Sequence, residues 1–389
     1  MKLNNTEIKA VAAVGLIMAI RLFGIFLILP TFSVYVVKYP GADYALAGIA
    51  FGIYALVQSI LQIPFGWLSD KIGRKPVIIL GLLIFTVGSI ICALAKDIDH
   101  LIIARAIQGA GAISSVAIAS LGDVTRSGVR AQSFTIVGIT IGAGFLIAII
   151  LGPLLAANIG FDGLFYILTA LGVIAIVITL LFFPEIKNTE LVHEESAVLD
   201  YLKHPEIKKL FVSAAVISLT VNMFVFIYPI SWTSFGIGKG DLWQVYLIAL
   251  IPTALFSYPY VRYSEKRGML KLATTSAWAL IALSFLIYPA SSILPLTLYL
   301  VGMAYFMGHT VLQSLFPAFL TQRVGQEKRG VTTGVYNLSS FLGASIGGMS
   351  AGFLYQLSPH LPLILALLLV IVWGLIGLPN PPKKTHQPD

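Results

Sequence analysis

The chain alternates long apolar stretches with short polar connections. Crossing about 30 Å of hydrocarbon takes roughly 20 helical residues at 1.5 Å each. The apolar positions are continuous within each stretch, whereas the strands of an outer-membrane barrel alternate apolar and polar residues. We therefore predict twelve transmembrane helices. The predicted spans are residues 10–37, 44–66, 77–95, 101–122, 132–157, 163–183, 209–235, 241–261, 271–290, 293–320, 331–357 and 361–378.

The composition agrees with a chain embedded in a lipid bilayer. Apolar residues make up 58% of the sequence and charged residues 11%, against roughly 25% charged in an ordinary globular protein. So few charges cannot cover a water-exposed surface, which argues against a soluble enzyme and a disordered chain. The single cysteine, Cys92, allows neither an internal disulfide nor a multi-cysteine metal site. We predict an all-α membrane protein.

The basic residues predict how the helices are oriented. Most of the 25 lysines and arginines fall in one set of alternate connections, and the other set holds Lys38, Lys96 and Lys239. Basic connections lie in the cytoplasm of membrane proteins, so both termini are expected there. The net charge of +8 then follows from topology and indicates no nucleic-acid partner. We expect a multi-pass protein of a bacterial inner membrane.

A polar segment and an internal repeat divide the chain into two halves. The pattern around Pro64-Phe65 and Ser69-Asp70 returns 195 residues later around Pro259-Tyr260 and Ser264-Glu265. Transporters built from two repeats bind substrate near the membrane midplane, between the repeats. We predict an N-terminal six-helix bundle at 1–183, a cytoplasmic linker at 184–207 and a C-terminal six-helix bundle with a short tail at 208–389.

Polar side chains inside the predicted spans mark a candidate substrate cavity. An ionisable group deep in the bilayer is costly and usually faces an interior cavity. Arg21 and Arg105 lie in spans 1 and 4, and Asn222 and His309 lie in spans 7 and 10. Span 2 adds a polar face with four-residue spacing. The complete predicted cavity set is Arg21, Tyr54, Gln58, Gln62, Arg105, Gln108, Asn222, His309, Gln313 and Asn337.

A structural role for these polar side chains is the alternative. A buried arginine or asparagine also ties helices together by bonding backbone carbonyls and neighbouring side chains. All 17 acidic residues can be placed in loops, tails or helix ends. A cavity lined by Arg21 and Arg105 without a carboxylate would repel cations and accept neutral, apolar or anionic solutes more readily.

The connection between spans 2 and 3 carries a specific motif. Gly66 is expected to let helices approach each other, Gly73 to allow a tight turn, and Arg74 to pair with Asp123 at the end of span 4. The segment reads Gly66-Trp67-Leu68-Ser69-Asp70-Lys71-Ile72-Gly73-Arg74-Lys75-Pro76. It resembles motif A of the major facilitator superfamily, Gly-x-Leu-Ser-Asp-x-x-Gly-Arg-Lys-Pro, at every defined position.

Further segments resemble one group within this superfamily. Arg105-Ala106-Ile107-Gln108-Gly109-Ala110-Gly111 is similar to motif B of its drug–proton antiporters, whose arginine is implicated in proton coupling, and Leu29-Pro30 is similar to motif D. Motif C of the antiporters is only partly kept, because Gly152-Pro153 is present but Ala148 replaces a glycine. Three segments, Arg21-Leu22-Phe23-Gly24, Gln62-Ile63-Pro64-Phe65-Gly66 and Phe341-Leu342-Gly343, resemble the YajR-like branch, here expected without that branch's C-terminal cytoplasmic domain.

The resemblance implies a fold and a gate. The family has two six-helix bundles, with helices 1, 4, 7 and 10 around the cavity, and works by alternating access. The implied gate consists of Gly66, Asp70, Gly73, Arg74 and Asp123. In this gate Asp70 lies near the start of predicted span 11, at Thr332–Gly334.

The sequence-based hypothesis is proton-coupled export of small drug-like or lipophilic compounds by a monomer. No Gly-x-x-x-x-Gly-Lys-Ser/Thr loop or His-Glu-x-x-His pair is present, so we expect no enzyme activity, cofactor or metal. The alternative is uptake or exchange of a small organic anion held by Arg21 and Arg105. A channel or scramblase is disfavoured because no selectivity filter is recognisable. The proton-coupling candidates are His309, Arg105, Asp70 and Asp123.

Overall fold

The computed structural model describes residues 4–183, 204–324 and 329–382, and these residues contain helices and no strand. The all-α prediction is confirmed. The helices are α1 Asn5–Ile28, α2 Phe32–Val36, α3 Tyr44–Ile72, α4 Arg74–Ala93, α5 Ile98–Ala110, α6 Ser114–Val124, α7 Ser127–Phe182, α8 Pro205–Ser234, α9 Leu242–Lys266, α10 Leu270–Ile287, α11 Thr297–Arg323, α12 Arg329–Leu357 and α13 Leu361–Ile376. Eight helical segments in this part of the chain are long and apolar enough to cross a membrane.

Two predicted spans are each broken into two helices. Span 1 stops at Ile28 and resumes at Phe32, because Pro30 lacks the N–H that a continuing helix needs. Span 4 stops at Ala110 and resumes at Ser114. Here the backbone of Gly111 leaves the helical conformation, with φ −71° and ψ 53°. The prediction of continuous helices over 10–37 and 101–122 was therefore wrong in the middle of both spans.

Spans 5 and 6 form a single run, α7, which bends at one residue. Gly160 has φ 79° and ψ 165°, a backbone conformation that residues with a Cβ rarely adopt. The bend separates the two predicted spans, which are thus present without a connecting loop.

The described residues divide into two compact units. The first takes its residues from Met1–Val192, Phe224–Gln244 and Ala344–Pro359, and the second from His193–Met223, Val245–Gly343 and His360–Asp389. The predicted bundle boundaries stay a prediction, because residues 184–203 of the predicted linker lie outside the described residues.

In the first unit, α3 crosses the end of α12 with the two backbones in contact. A Cβ added to Gly48 would lie 2.7 Å from the Cα of Gly352, and one added to Gly352 would lie 2.2 Å from the carbonyl oxygen of Tyr44. Small residues let helices approach this closely in membranes. The backbone N–H of Tyr44 also donates a hydrogen bond to the Gln356 side-chain oxygen at 3.1 Å.

In the second unit, α10 is held by both neighbours. A Cβ added to Gly308 of α11 would lie 2.4 Å from the carbonyl oxygen of Ala277. On the other side, the Trp278 indole donates to the carbonyl of Val370 in α13 at 2.6 Å. The close approach of these helices is thus set by one glycine and one tryptophan.

The α3–α12 contact gives a first prediction. Gly48→Ala should separate the two backbones, because no flexible side chain can give way to the new Cβ; overpacking of this kind costs about 1–3 kcal/mol. The measurement is disulfide cross-linking between Tyr44→Cys and Tyr355→Cys, whose parent rings lie 4.6 Å apart, in a Cys92→Ser background. The cross-linking yield should fall.

Gly142→Ala is the matched control for this prediction. A Cβ at Gly142 in α7 would meet no atom of the described residues within 4 Å, so the yield should stay at the parent level. An equal yield with Gly48→Ala would contradict the close contact.

Candidate functional site

Arg21 is buried in α1 and bonds to two other helices. Its side chain is only 2% exposed. Nη1 donates to Ser114 Oγ at 3.0 Å, and Nη2 lies 3.5 Å from the Tyr54 hydroxyl. Ser114 also accepts from Gln58 Nε2 at 3.3 Å. One serine at the start of α6 therefore joins α1 and α3.

Arg105 in α5 is buried in a comparable way, at 4% exposed. Its Nη1 donates to Gln108 Oε1 at 2.5 Å. Gln108 Nε2 in turn donates to Ser89 Oγ at 2.8 Å. Its guanidinium carbon lies 4.7 Å from the centre of the Tyr54 ring and 5.4 Å from that of Phe32. Such cation–π contacts stabilise a desolvated cation.

Tyr54 connects the two arginines, since its hydroxyl faces Arg21 and its ring faces Arg105. We call Arg21, Tyr54, Gln58, Arg105, Gln108 and Ser114 the arginine cluster. Every side-chain partner described above for its two guanidinium groups is neutral. Hydrogen bonds and aromatic rings therefore stabilise the two positive charges of the cluster, and none of these partners neutralises them with a negative charge.

Several polar atoms in the arginine cluster and at the neighbouring Gln62 are unpaired. Arg21 Nε, Gln58 Oε1 and both amide atoms of Gln62 are buried without a hydrogen-bond partner in the described part of the chain. An unpaired buried polar group costs about 1–3 kcal/mol. These atoms mark where a polar ligand or water would be stabilised.

The structure brings together five residues of the predicted cavity set: Arg21, Tyr54, Gln58, Arg105 and Gln108. Gln62 follows one turn along α3 and is also buried. Both guanidinium groups are closed off from solvent, so the expected open cavity does not reach them in this structure. Their contacts are those expected for the alternative, structural role, in which buried arginines hold neighbouring helices together. Their role in substrate binding stays a prediction.

The other predicted cavity residues lie in the second unit. Asn222 donates to the carbonyl of Ser218 in its own helix at 2.8 Å. The His309 ring stacks on Tyr305 at 6.1 Å, and its Nδ1 is buried without a hydrogen-bond partner among described residues. Gln313, predicted to share the face of His309, is exposed, and Asn337 is half-buried.

The motif between α3 and α4 forms a compact ion-pair cluster around Arg74. Arg74 is 8% exposed and donates to Asp70 Oδ1 at 2.5 Å and to Asp123 Oδ2 at 2.9 Å. Gly73 has φ 97°, which makes the tight turn possible. The predicted Arg74–Asp123 pair is therefore present.

Gly66 does not have the expected packing role. A Cβ at this position would meet no atom of residues 4–183, 204–324 or 329–382 within 4 Å, so the expectation that Gly66 lets helices approach is wrong for this structure. The approach of Asp70 to Thr332–Gly334 stays a prediction.

An ion pair that sequence reasoning missed joins α1 to the start of α7. Glu7 is almost fully buried and accepts from Arg126 Nε at 2.8 Å and Nη2 at 2.9 Å. Its other partner is the backbone N–H of Asn4 at 2.9 Å. Asn4 and Glu7 have the spacing of a capping box, which could have marked the start of α1. No sequence pattern indicates that Arg126 pairs with Glu7.

The Arg74 cluster gives a second prediction. Asp123→Asn should lower the free energy of unfolding by about 1–3 kcal/mol, because a charge-assisted hydrogen bond of a largely buried arginine becomes a neutral one. Thermal melting of the purified protein measures this. Asp99→Asn removes an exposed carboxylate and serves as the control. Equal melting temperatures for the two variants would contradict the stabilising role.

Comparison with known proteins places the chain in one family of membrane transporters. The family described as Major Facilitator Superfamily matches residues 14–348 and 210–389. The inner membrane transport protein YajR of Escherichia coli (strain K12) is 30% identical over 91% of this chain and 79% of its own length. The multidrug resistance protein MdtL of Klebsiella pneumoniae (strain 342) is 27% identical over 79% of both chains.

A solved structure agrees in fold. An auto-inhibited peptide transporter of the POT family superposes with a TM-score of 0.75 and 13% identity, over 98% of this chain and 99% of that one. The chain therefore belongs to the Major Facilitator Superfamily and is a multi-pass membrane transporter of small molecules, not an enzyme.

Proposed function

We propose that this transporter exports small drug-like or lipophilic compounds that are neutral or anionic, in exchange for protons. The observation that carries the proposal is the arginine cluster, in which Arg21 and Arg105 are buried among neutral partners. At an effective dielectric constant of about 20, a unit charge about 5 Å from a guanidinium gains or loses roughly 3 kcal/mol. That is more than a hundredfold in an equilibrium constant, enough to disfavour organic cations.

The export direction is supported by relatives rather than by geometry. MdtL, 27% identical over 79% of this chain, is named a multidrug resistance protein, and resistance follows from removing a drug from the cell. The first relative described above, YajR, is named as an inner membrane transport protein without a substrate. We propose the same membrane for this chain, with cytoplasmic termini and a monomeric state.

Proton coupling needs a titratable group that responds to the gradient. The described acidic residues lie at helix ends, bends or connections, so the interiors of the described helices offer no carboxylate carrier. We assign the coupling to His309 or to the Asp70–Arg74–Asp123 cluster, with Arg105 modulating it. Protonating either aspartate would weaken its bond to Arg74 and favour opening of that cluster.

Uptake or exchange of a small organic anion is the second candidate. The unpaired Arg21 Nε in the arginine cluster favours it, because a carboxylate there would both accept a hydrogen bond and balance a buried charge. The two candidates differ in substrate and direction, not in the site.

A third prediction concerns charge selection. In proteoliposomes with an imposed pH gradient, the protein should move a neutral lipophilic dye and its carboxylate analogue, while its quaternary-ammonium analogue should be transported at least tenfold more slowly. Arg21→Gln should lower carboxylate flux at least tenfold and leave neutral flux within a factor of about two, because only the carboxylate needs the charge.

Arg262→Gln controls for the loss of one positive charge, since Arg262 is exposed at the end of α9; both fluxes should stay at the parent level. Gel filtration of each variant checks that the protein remains folded. Preferred transport of the quaternary ammonium compound would overturn the proposal, and carboxylate flux without neutral flux would favour the second candidate.

A fourth prediction concerns the proton. His309→Gln combined with Asp70→Asn and Asp123→Asn should remove the dependence of transport on the pH gradient, because none of the substituted side chains titrates. The measurement is initial dye flux with and without the gradient. A variant that keeps the parent's pH dependence would refute this assignment of the coupling groups.

A further inference from the structure

The turn that joins α9 to α10 carries three exposed cations. Lys266 ends α9, Arg267 follows it, and Lys271 lies in the first turn of α10. The guanidinium carbon of Arg267 lies 5.5 Å from the centre of the Tyr263 ring. Among the described residues, the ammonium groups of Lys266 and Lys271 have no hydrogen-bond or ion-pair partner. The turn therefore presents positive charge to its surroundings.

Backbone hydrogen bonds hold the turn in one conformation. The N–H of Met269 donates to the carbonyl of Ser264 at 2.7 Å, and the N–H of Gly268 donates to the carbonyl of Glu265 at 3.2 Å. Gly268 has φ 70°, a left-handed conformation that suits glycine, and these features form a Schellman motif. The motif ends α9 and leads directly into α10, so that cations from both helices lie at the same end of the helix pair.

The start of α10 adds hydrogen-bond donors to this turn. The first N–H groups of a helix lack an acceptor within that helix, and no described side chain caps them at Met269. An uncapped helix start attracts anions through these N–H groups and through the helix dipole. The turn thus combines three exposed cations with a helix end of the same polarity.

The repeat-related turn in the first unit binds its cations internally. A shift of 195 residues relates the α9–α10 turn to the turn between α3 and α4. In that turn Arg74 is paired with Asp70 and Asp123. Lys75 donates to the carbonyl of Leu180 in α7 at 3.0 Å. The positive charge of the first turn is therefore largely used within the protein.

The α9–α10 turn lacks this arrangement. Met269 stands at the position that corresponds to Arg74, and α11 contains no aspartate or glutamate that could take the place of Asp123. Both turns contain three basic residues and one acidic residue, so their compositions do not distinguish them. The exposed charge of the α9–α10 turn follows from its missing protein partners rather than from basic composition alone.

The surface beside the turn suits the interface between bilayer and water. Leu255 and Tyr258 are exposed and lie on the same side of α9 as Lys266. This order, from leucine through tyrosine to lysine, is expected for a helix that leaves the hydrocarbon core and enters the headgroup region. On α10, Lys271 is likewise followed by the exposed Leu272. We therefore expect the cations at the depth of the lipid phosphates.

We propose that the α9–α10 turn binds the headgroup of an anionic phospholipid. Lys266, Arg267 and Lys271 bind the phosphate oxygens, and the uncapped start of α10 favours the same negative charge. The acyl chains extend into the bilayer beside the exposed apolar residues of both helices. A soluble acidic peptide fits this surface less well, because it would leave those apolar residues uncovered. The site involves neither the arginine cluster nor the Arg74 cluster, so the proposal is independent of substrate and coupling.

Short-range fluorescence quenching in phosphatidylcholine nanodiscs tests this site. The full chain carries a bimane fluorophore at Thr275→Cys, an exposed position one turn after Lys271, in a Cys92→Ser background. The quenchers are small amounts of phosphatidylglycerol or phosphatidylcholine with a nitroxide near the carbonyl end of one acyl chain. Phosphatidylglycerol should quench with an association constant at least fivefold higher, since each basic residue near an anionic lipid contributes roughly fivefold.

Lys266→Gln combined with Lys271→Gln should lower the association constant for phosphatidylglycerol at least fivefold and leave that for phosphatidylcholine unchanged. Lys9→Gln combined with Lys208→Gln is the matched control, because both lysines are exposed elsewhere in the chain and the same net charge is removed. The control should keep the parent's preference for phosphatidylglycerol.

The repeat supplies a second control. Leu80 is exposed in α4 and lies 195 residues before Thr275; a bimane at Leu80→Cys should show at most a twofold preference for phosphatidylglycerol. Equal quenching by the two lipids at Thr275, a preference that survives substitution of both lysines, or the same preference at Leu80 would overturn the proposal. Selective loss of quenching in sodium phosphate, relative to sodium chloride of equal ionic strength, would also overturn it, because the site would then bind free phosphate.

Discussion

The constraint on which the first unit depends is the cost of keeping a positive charge away from water. Arg21 and Arg105 lie within membrane-length helices, where an unstabilised cation is expensive. Their partners come from α2, α3, α5 and α6, and Gln108 of α5 is itself bonded to Ser89 of α4. The two helix breaks contribute directly: the break after Ile28 places Phe32 near Arg105, and the break after Ala110 places Ser114 beside Arg21. Interruptions that weaken the helices thus supply the groups that stabilise the buried charges.

α3 makes three separate sets of contacts along its length. Near its start, Gly48 and Gly52 bring it into backbone contact with α12. In its middle, Tyr54 and Gln58 belong to the arginine cluster, and at its end Asp70 binds Arg74. All three sets of contacts therefore belong to one helix, which Pro64 interrupts between the arginine cluster and Asp70.

The two units share a repeat but differ in the chemistry of their interiors. The first holds charged side chains stabilised by neutral partners. The second has the Tyr305–His309 stack and an apolar groove lined by residues of α9, α10 and α11. In the first unit the apolar Phe65 ring lies beside Gly81, whereas in the second unit, 195 residues further along the chain, the Tyr260 hydroxyl is hydrogen-bonded to Ser276.

The sequence by itself determined the helical class, the family and the Arg74–Asp123 pair, because hydrophobic length and short motifs depend on nearby residues. It also identified the buried arginines, since charge within an apolar stretch is visible without coordinates. Only the tertiary structure decided which groups stabilise them: Ser114 and Phe32 are ordinary residues in the sequence and matter because three-dimensional packing brings them within reach. The same holds for Arg126 beside Glu7, and for Gly66, beside which no described residue packs. Contacts between residues far apart in the chain depend on how helices cross, which no local pattern specifies.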